Sequence, residues 1–192
     1  MATTTRHVIT GGPGVGKTTT LELLASRGYA TVRETARDII AAQQEAGADG
    51  ILPWTDNLGF QYLVLDTLLR REREACGDPV FCDRGAFDAF AYCKVFSTGV
   101  PDALEKIAKD RRYGKVFLLD QLPTYVQDAQ RREDPLLAKR LHEEIGNAYA
   151  NLGYEVVRVP AIGPQARVEY IIERSGVVYD IGMRDETRRR IA

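Results

Sequence analysis

The chain has 192 residues, with 44% hydrophobic and 28% charged residues, which suits one domain with a sizeable core and excludes a disordered or low-complexity chain. Its formal net charge of -1 argues against general affinity for nucleic acid or an anionic membrane, and no apolar run approaches the length of a membrane span. The cysteines Cys76, Cys82 and Cys93 are odd in number and lack C-x-x-C spacing, which argues against a disulfide framework or zinc site and for reduced thiols in a cytoplasm.

The first element is a short apolar strand, Val8-Ile9-Thr10, inside the stretch His7–Thr19, HVITGGPGVGKTT. The loop behind the strand fits G-x-x-x-x-G-K-[ST], with Gly11 and Gly16 fixed and Lys17-Thr18 completing the pattern. Gly11, Gly12, Gly14 and Gly16 let successive backbone N–H groups converge on phosphate, with Pro13, Val15 and Thr19 completing the loop. The helix that opens near Lys17 adds unpaired donors and its positive dipole end. Lys17 is placed to reach the β- and γ-phosphates, and the Thr18 hydroxyl to bind Mg²⁺. A chance match in a chain this long has a probability of roughly one in a hundred. The motif also comes after a strand and opens a helix, as the chemistry requires, so the expected ligands are ATP and Mg²⁺.

Leu21, Leu23 and Leu24 carry that helix to Gly28, a glycine cap. Tyr29 to Arg33 reads as a second strand, with Glu34 just beyond it, and residues 35–47 as a helix. Asp56 or Asn57 can cap a long helix running to about Ala75, whose Phe60, Leu63, Val64, Leu65, Leu68 and Leu69 fit helical spacing. Val80-Phe81-Cys82 is a compact strand ending in Asp83-Arg84-Gly85. Ala86 to Val95 and Pro101 to Asp110 read as helices, and Lys115 to Asp120 as a fourth strand. A polar, charged connection leads to Pro135, a good first helical residue, and the helix behind it shows Leu137, Leu141, Ile145, Tyr149 and Leu152 on one side. A fifth strand, EVVRVP, precedes a last helix from Pro164 to near Gly176. The tail from Val177, with Arg188-Arg189-Arg190, has no assigned place and reads as a solvated end.

Strands alternating with helices indicate an α/β fold: a three-layer P-loop NTPase fold, with a mainly parallel five-stranded sheet and helices on both faces. The expected unit is one domain over 1–192, with a lid segment at about 124–136 and a tail from about 177. Such sheets bind ligands beyond the carboxyl ends of their strands, so Gly11 to Thr18, Glu34, Asp83-Arg84 and Asp120 should converge.

Asp83 ends a buried strand, where P-loop proteins hold Mg²⁺; a helix cap is the alternative. Arg84 is placed to bind an anion on the acceptor side, or to form a salt bridge. Glu34 can take a proton from an attacking hydroxyl or bind metal-bound water, while a pairing with Arg37 or Arg33 competes. Arg37, a helical turn on, can join the acceptor pocket. Arg131 and Arg132 sit on the charged connection, where an arginine closing over a transferred phosphoryl group stabilises its charge; a solvated loop is the plain alternative. Phe60 reads as core, whereas Trp54 and Tyr62 fit a stacking pocket or the core equally.

HVITGGPGVGKTT, the Glu34-Thr35-Ala36-Arg37 step, FCDRG with Asp88 and Tyr92 beyond it, and D-x-x-R-x-E (Asp128, Arg131, Glu133) resemble a family of small P-loop proteins, the AAA-domain-like ATPases. That family is similar to nicotinamide riboside kinase domains and, more distantly, to deoxynucleoside and thymidylate kinases. The resemblance covers roughly residues 6 to 175. It implies base, metal and substrate-phosphate roles shared among Glu34, Asp83 and Arg84, and a lid arginine at Arg131. No motif assigns the acceptor to one nucleoside, and the chain has little room for the helical lid domain of AAA+ machines.

The expected activity is ATP- and Mg²⁺-dependent phosphoryl transfer to a small hydroxyl- or phosphate-bearing acceptor, nucleoside- or nucleotide-like. The alternative is a nucleotide-hydrolysing switch with a protein partner; no N-K-x-D motif supports a Ras-type GTPase. Intact Lys17, Thr18 and Asp83 argue against a degenerate binding protein. The lack of a basic patch with interleaved aromatics argues against a nucleic-acid partner, and a homo-oligomer stays open.

Overall fold

In the computed structural model the described residues are 4–45, 47, 50–110, 113–123 and 134–176. Five strands form the sheet: β1 (Arg6–Thr10), β2 (Ala30–Val32), β3 (Val80–Asp83), β4 (Val116–Leu119) and β5 (Val156–Val159). The helices among the described residues are α1 (Lys17–Ser26), α2 (Ala36–Glu45), α3 (Asn57–Glu74), α4 (Asp88–Val95), α5 (Asp102–Ala108), α6 (Pro135–Asn151) and α7 (Pro164–Ser175).

The sheet is wholly parallel, in the order β2-β3-β1-β4-β5. Parallel neighbours cannot be joined by hairpins, so each connection crosses back through helix and covers a face. The period-two alternation of the strands divides the core. Val8, Val80, Cys82, Val116 and Leu118 pack with Leu65, Phe87, Ile145 and Tyr149 on the α3, α4 and α6 side. Ile9, Phe81, Phe117 and Leu119 pack with Leu24, Val168 and Ile171 on the α1 and α7 side. β1 is central, with β3 and β4 on its two sides, so the strand order reverses at its carboxyl end and opens a crevice there. The glycine loop occupies that position.

The helix ends obey local capping chemistry. The Asp56 carboxylate accepts from Gly59 N–H (2.9 Å) and Asp134 from Leu137 N–H (2.8 Å), with Pro135 in the first turn, and Gly176 ends α7 with φ 80°. The fourth helix starts at Asp88, not Ala86, because Gly85 to Phe87 are drawn into a turn closed by Gly85 N–H on Asp88 Oδ1 (3.3 Å). Most of the expected lid segment (124–133) and the tail from 177 lie outside the described residues. Among the described residues no helix is long and apolar enough to cross a membrane.

Candidate active site

The loop between β1 and α1 is held by residues far away in the chain. A Cβ at Gly12 would lie 2.8 Å from the Ala138 carbonyl, so α6 rests directly on the loop. Gly12 N–H donates to Nδ1 of His142 on that helix (3.3 Å). Burial is the main reason His142 has a lowered pKa, with the Arg158 charge second, and a neutral imidazole is what this acceptor role needs. From α7, the buried Arg167 guanidinium donates to the carbonyls of Val15, Asp120 (3.0 Å) and Pro160 (3.0 Å). Gly16 takes φ 87° as N-cap of α1 and makes no side-chain cap. The first helical N–H groups therefore remain available to a ligand.

Lys17 is folded back onto this loop. Its Nζ donates to the Gly11 (3.1 Å) and Gly12 (2.9 Å) carbonyls. Burial, and then the Arg84 charge, lower its pKa to about 8, against the pull of Asp83, Glu34 and Asp88. Thr18 and Thr19 are exposed and face the adjacent cleft.

Across the cleft a network of ion pairs and hydrogen bonds links the ends of β2 and β3 with α4. Arg84, directly after β3, has φ 66°, a left-handed conformation that costs a non-glycine residue roughly 1–3 kcal/mol unless its surroundings enforce it. Its Nε lies 3.0 Å from Glu34 Oε1, its Nη1 3.0 Å from Asp88 Oδ2, and its guanidinium 5.4 Å from the centre of the Tyr92 ring. Asp88 in turn accepts from Thr10 Oγ1 (2.6 Å), Tyr149 OH (2.8 Å) and Gly85 N–H. Arg37 Nε lies 3.5 Å from the second Glu34 oxygen. Burial alone would raise the Glu34 pKa, but Arg84 and Lys17 outweigh it and hold the carboxylate below its usual range. Arg84 is pushed upward: burial opposes its charge, yet Tyr92, Glu34 and Asp88 more than offset that.

Asp83 is 2% exposed, and its Oδ1 has no hydrogen-bond partner among the described residues. Burial raises its pKa to about 6, with Lys17 pulling down and Glu34 pushing up. The orphaned oxygen and the exposed Thr18 hydroxyl fit a small hard cation. Among the described residues no cluster of three or more His, Cys, Asp or Glu could hold a metal.

One cleft of about 740 Å³ joins these parts: Pro13 to Thr19, Glu34, Arg37 and Arg84 line it together. Gly11 and Gly12 form the base of the loop, and Asp83 is buried beside the lysine. Asp120 does not join them. Its carboxylate lies 3.5 Å from Arg158 and its carbonyl serves Arg167, because the end of β4 is turned towards α7. The lid residues Asp128, Arg131, Arg132 and Glu133 lie outside the described residues. The far end of the cleft is apolar: Trp54, Phe60, Leu65, Tyr92 and Phe96 line it. Tyr62 does not line it; its hydroxyl accepts from Asp102 N–H (3.4 Å) at α5.

Sequence reasoning passed over Gln61, His142 and Arg167 and gave Asp88 no task of its own. Gln61, on α3 beside Phe60, faces the cleft, is 6% exposed and has no hydrogen-bond partner among the described residues. Nothing local marks His142 or Arg167.

A family model described as an AAA domain matches residues 6–167. No curated protein matches the sequence significantly. Among solved structures, deoxyadenosine kinase from M. mycoides with dCMP and dCDP bound aligns with TM-score 0.60 at 13% identity, covering 88% of this chain and 97% of that one. A NadR protein in complex with NR aligns with TM-score 0.63 at 20% identity, covering 92% of this chain and 52% of the other. Thymidylate kinase from Candida albicans gives 0.62 at 13%, covering 92% and 96%. At these identities the likeness establishes a P-loop kinase-like α/β fold.

Proposed function

The chain belongs to the AAA-domain family, and we propose that it is an ATP- and Mg²⁺-dependent phosphotransferase acting on a small nucleoside- or nucleotide-like acceptor. One observation carries this reading: the phosphate loop opens into the same cleft as an aromatic-lined chamber, which the buried Gln61 also lines. A hydrolytic switch needs room for a nucleotide and a water, not an apolar chamber of this kind. The Gln61 amide offers two N–H donors and an acceptor, and leaving such a group unmet once a ligand has displaced water from the chamber costs roughly 1–3 kcal/mol. A flat ring with a polar edge, seated against Phe60 and Tyr92, would satisfy it.

Each residue then has a task. Lys17 exchanges the Gly11 and Gly12 carbonyls for oxygens of the transferred phosphoryl group, and the loop N–H groups hold the remaining phosphates. Thr18 and Asp83 would hold Mg²⁺, which when bound neutralises charge on the phosphates. Glu34 orients the acceptor hydroxyl and takes its proton; a carboxylate held below its usual pKa is a weak base, which suffices where the transition state is loose and the proton moves late. Arg84 and Arg37 fix Glu34 in place, and Arg131 is assigned to close over the transferred charge. The kinase-like fold supports phosphoryl transfer, and the free cysteines fit a reducing cytoplasm.

The test is a screen with ATP and Mg²⁺ against nucleosides, nucleotides and sugars. Phosphorylation of a nucleoside-like compound is expected; steady ATP hydrolysis with transfer to none of them would refute the reading.

A further inference from the structure

Among the described residues, the cations around Glu34 are already matched. Arg84 is clamped between Glu34 and Asp88 at 3.0 Å each, and Asp88 is itself fixed by Thr10, Tyr149 and Gly85. Arg37 pairs with the other Glu34 oxygen. Arg71, whose guanidinium donates to the Glu34 carbonyl (3.2 Å), lies 2.6 Å from the Asp38 carboxylate. Beyond them the cleft is lined by Trp54, Phe60, Leu65 and the neutral Gln61. Lys17 is committed to the donor phosphates.

A phosphate monoester brings about 1.5 to 2 negative charges at neutral pH. Among the described residues, binding it through Arg84 would draw that arginine out of a partly buried pair and leave Glu34 or Asp88 uncompensated, which is strongly destabilising; the more exposed Arg37 can turn to it at less cost, but the phosphate then sits beside the Glu34 and Asp88 carboxylates. A hydroxyl carries neither penalty, and Glu34 faces the cleft with two oxygens able to accept from it.

We infer that the acceptor is a neutral, hydroxyl-bearing compound of the nucleoside class that carries no phosphate of its own. This deepens the phosphotransferase reading and rests on it. In the transfer, the acceptor hydroxyl oxygen bonds to the γ-phosphorus as the bond to the β–γ bridging oxygen breaks. The nucleoside diphosphate departs with that electron pair, and the hydroxyl proton passes to Glu34 and then to solvent.

The experiment pairs purine and pyrimidine nucleosides with their own 5′-monophosphates, measuring binding by calorimetry in the presence of Mg²⁺ and a non-hydrolysable ATP analogue, and transfer with ATP. At least one nucleoside should bind and react about tenfold or more better than its monophosphate. Equal or tighter binding of the monophosphates, or binding of neither member of any pair, overturns the inference. Preferred transfer to monophosphates overturns it while the phosphotransferase reading stands. Nucleoside-selective binding with hydrolysis alone does the reverse: it supports the charge argument and refutes the phosphotransferase reading. Glu34→Gln, which unpairs Arg84 and Arg37 on one side, should narrow the binding preference for the nucleoside by about tenfold; an unchanged ratio in a folded variant overturns the ion-pair argument.

Discussion

Replacing Asp83 by Asn should stabilise the fold while removing Mg²⁺-dependent nucleotide binding. The wild-type carboxylate is buried with one oxygen lacking a donor among the described residues, and its pKa is raised from 3.8 to about 6. A raised carboxylate pKa means that the folded state binds the proton more tightly than the unfolded chain. Above pH 6 the charge is therefore a liability, of order 3 kcal/mol at neutral pH, which fades as pH falls through 6 towards 4. Asparagine removes that liability but brings an amide that also needs partners, so the expected net gain is about 1–2 kcal/mol. For a chain of this size that is roughly 2–8 °C in Tm. The assay is chemical and thermal unfolding of both proteins at pH 7.5 and pH 4.5, repeated at neutral pH with Mg²⁺ and ATP. The variant's advantage should be largest at pH 7.5 and largely gone at pH 4.5, and only the wild type should gain stability from the metal–nucleotide pair. An asparagine variant less stable than wild type at pH 7.5, or an advantage independent of pH, would refute the reasoning.

Lys17→Ala should nearly abolish nucleotide turnover with an unchanged circular dichroism spectrum, because the residue's contacts in this state are to loop carbonyls and not to the core; wild-type turnover in it would sink the site assignment. Gln61→Leu keeps the volume of the α3 side chain and deletes its polar edge, so the acceptor KM should rise about tenfold while the KM for ATP stays put. Equal changes in both would argue against an acceptor role. His7, 3% exposed, accepts from Lys115 N–H at Nδ1 (3.1 Å), and burial, with Lys115 second and Asp78 opposing, lowers its pKa from 6.5 to about 4. Its lowered pKa contributes stability that is present above pH 6.5 and lost as pH falls from 6.5 towards 4, up to about 3 kcal/mol. Unfolding midpoints measured across that range should fall more steeply for wild type than for His7→Gln, and parallel slopes would count against this account.

The loop, the helix ends and the strand positions were legible because each depends on residues close together in the chain. G-x-x-x-x-G-K-T carries its own φ requirements, and Asp56, Pro135 and Gly176 state where helices begin or end. Strands alternating with helices were enough to indicate a mainly parallel sheet covered on both faces. Placing Glu34 and Arg84 together came from a rule about parallel sheets, and their ion pair at 3.0 Å agrees with it. The same rule misplaced Asp120, because a strand end sets where the backbone leaves the sheet and not which neighbour captures the side chain.

By itself, then, the sequence determined that this protein builds a P-loop on an α/β frame, since that information is local and periodic. Which groups hold the loop was decided only in three dimensions: Gly12 meets His142 across 130 positions and Val15 meets Arg167 across 152. The character of the far end of the cleft was decided there too. Charged residues after strands read alike whether free or paired, and only the packed structure matches Arg84 and Arg37 to carboxylates while placing a neutral Gln61 among the aromatic residues that line the cleft. Ion pairing and burial depend on separations of a few ångströms between distant segments, and no spacing along the chain encodes those.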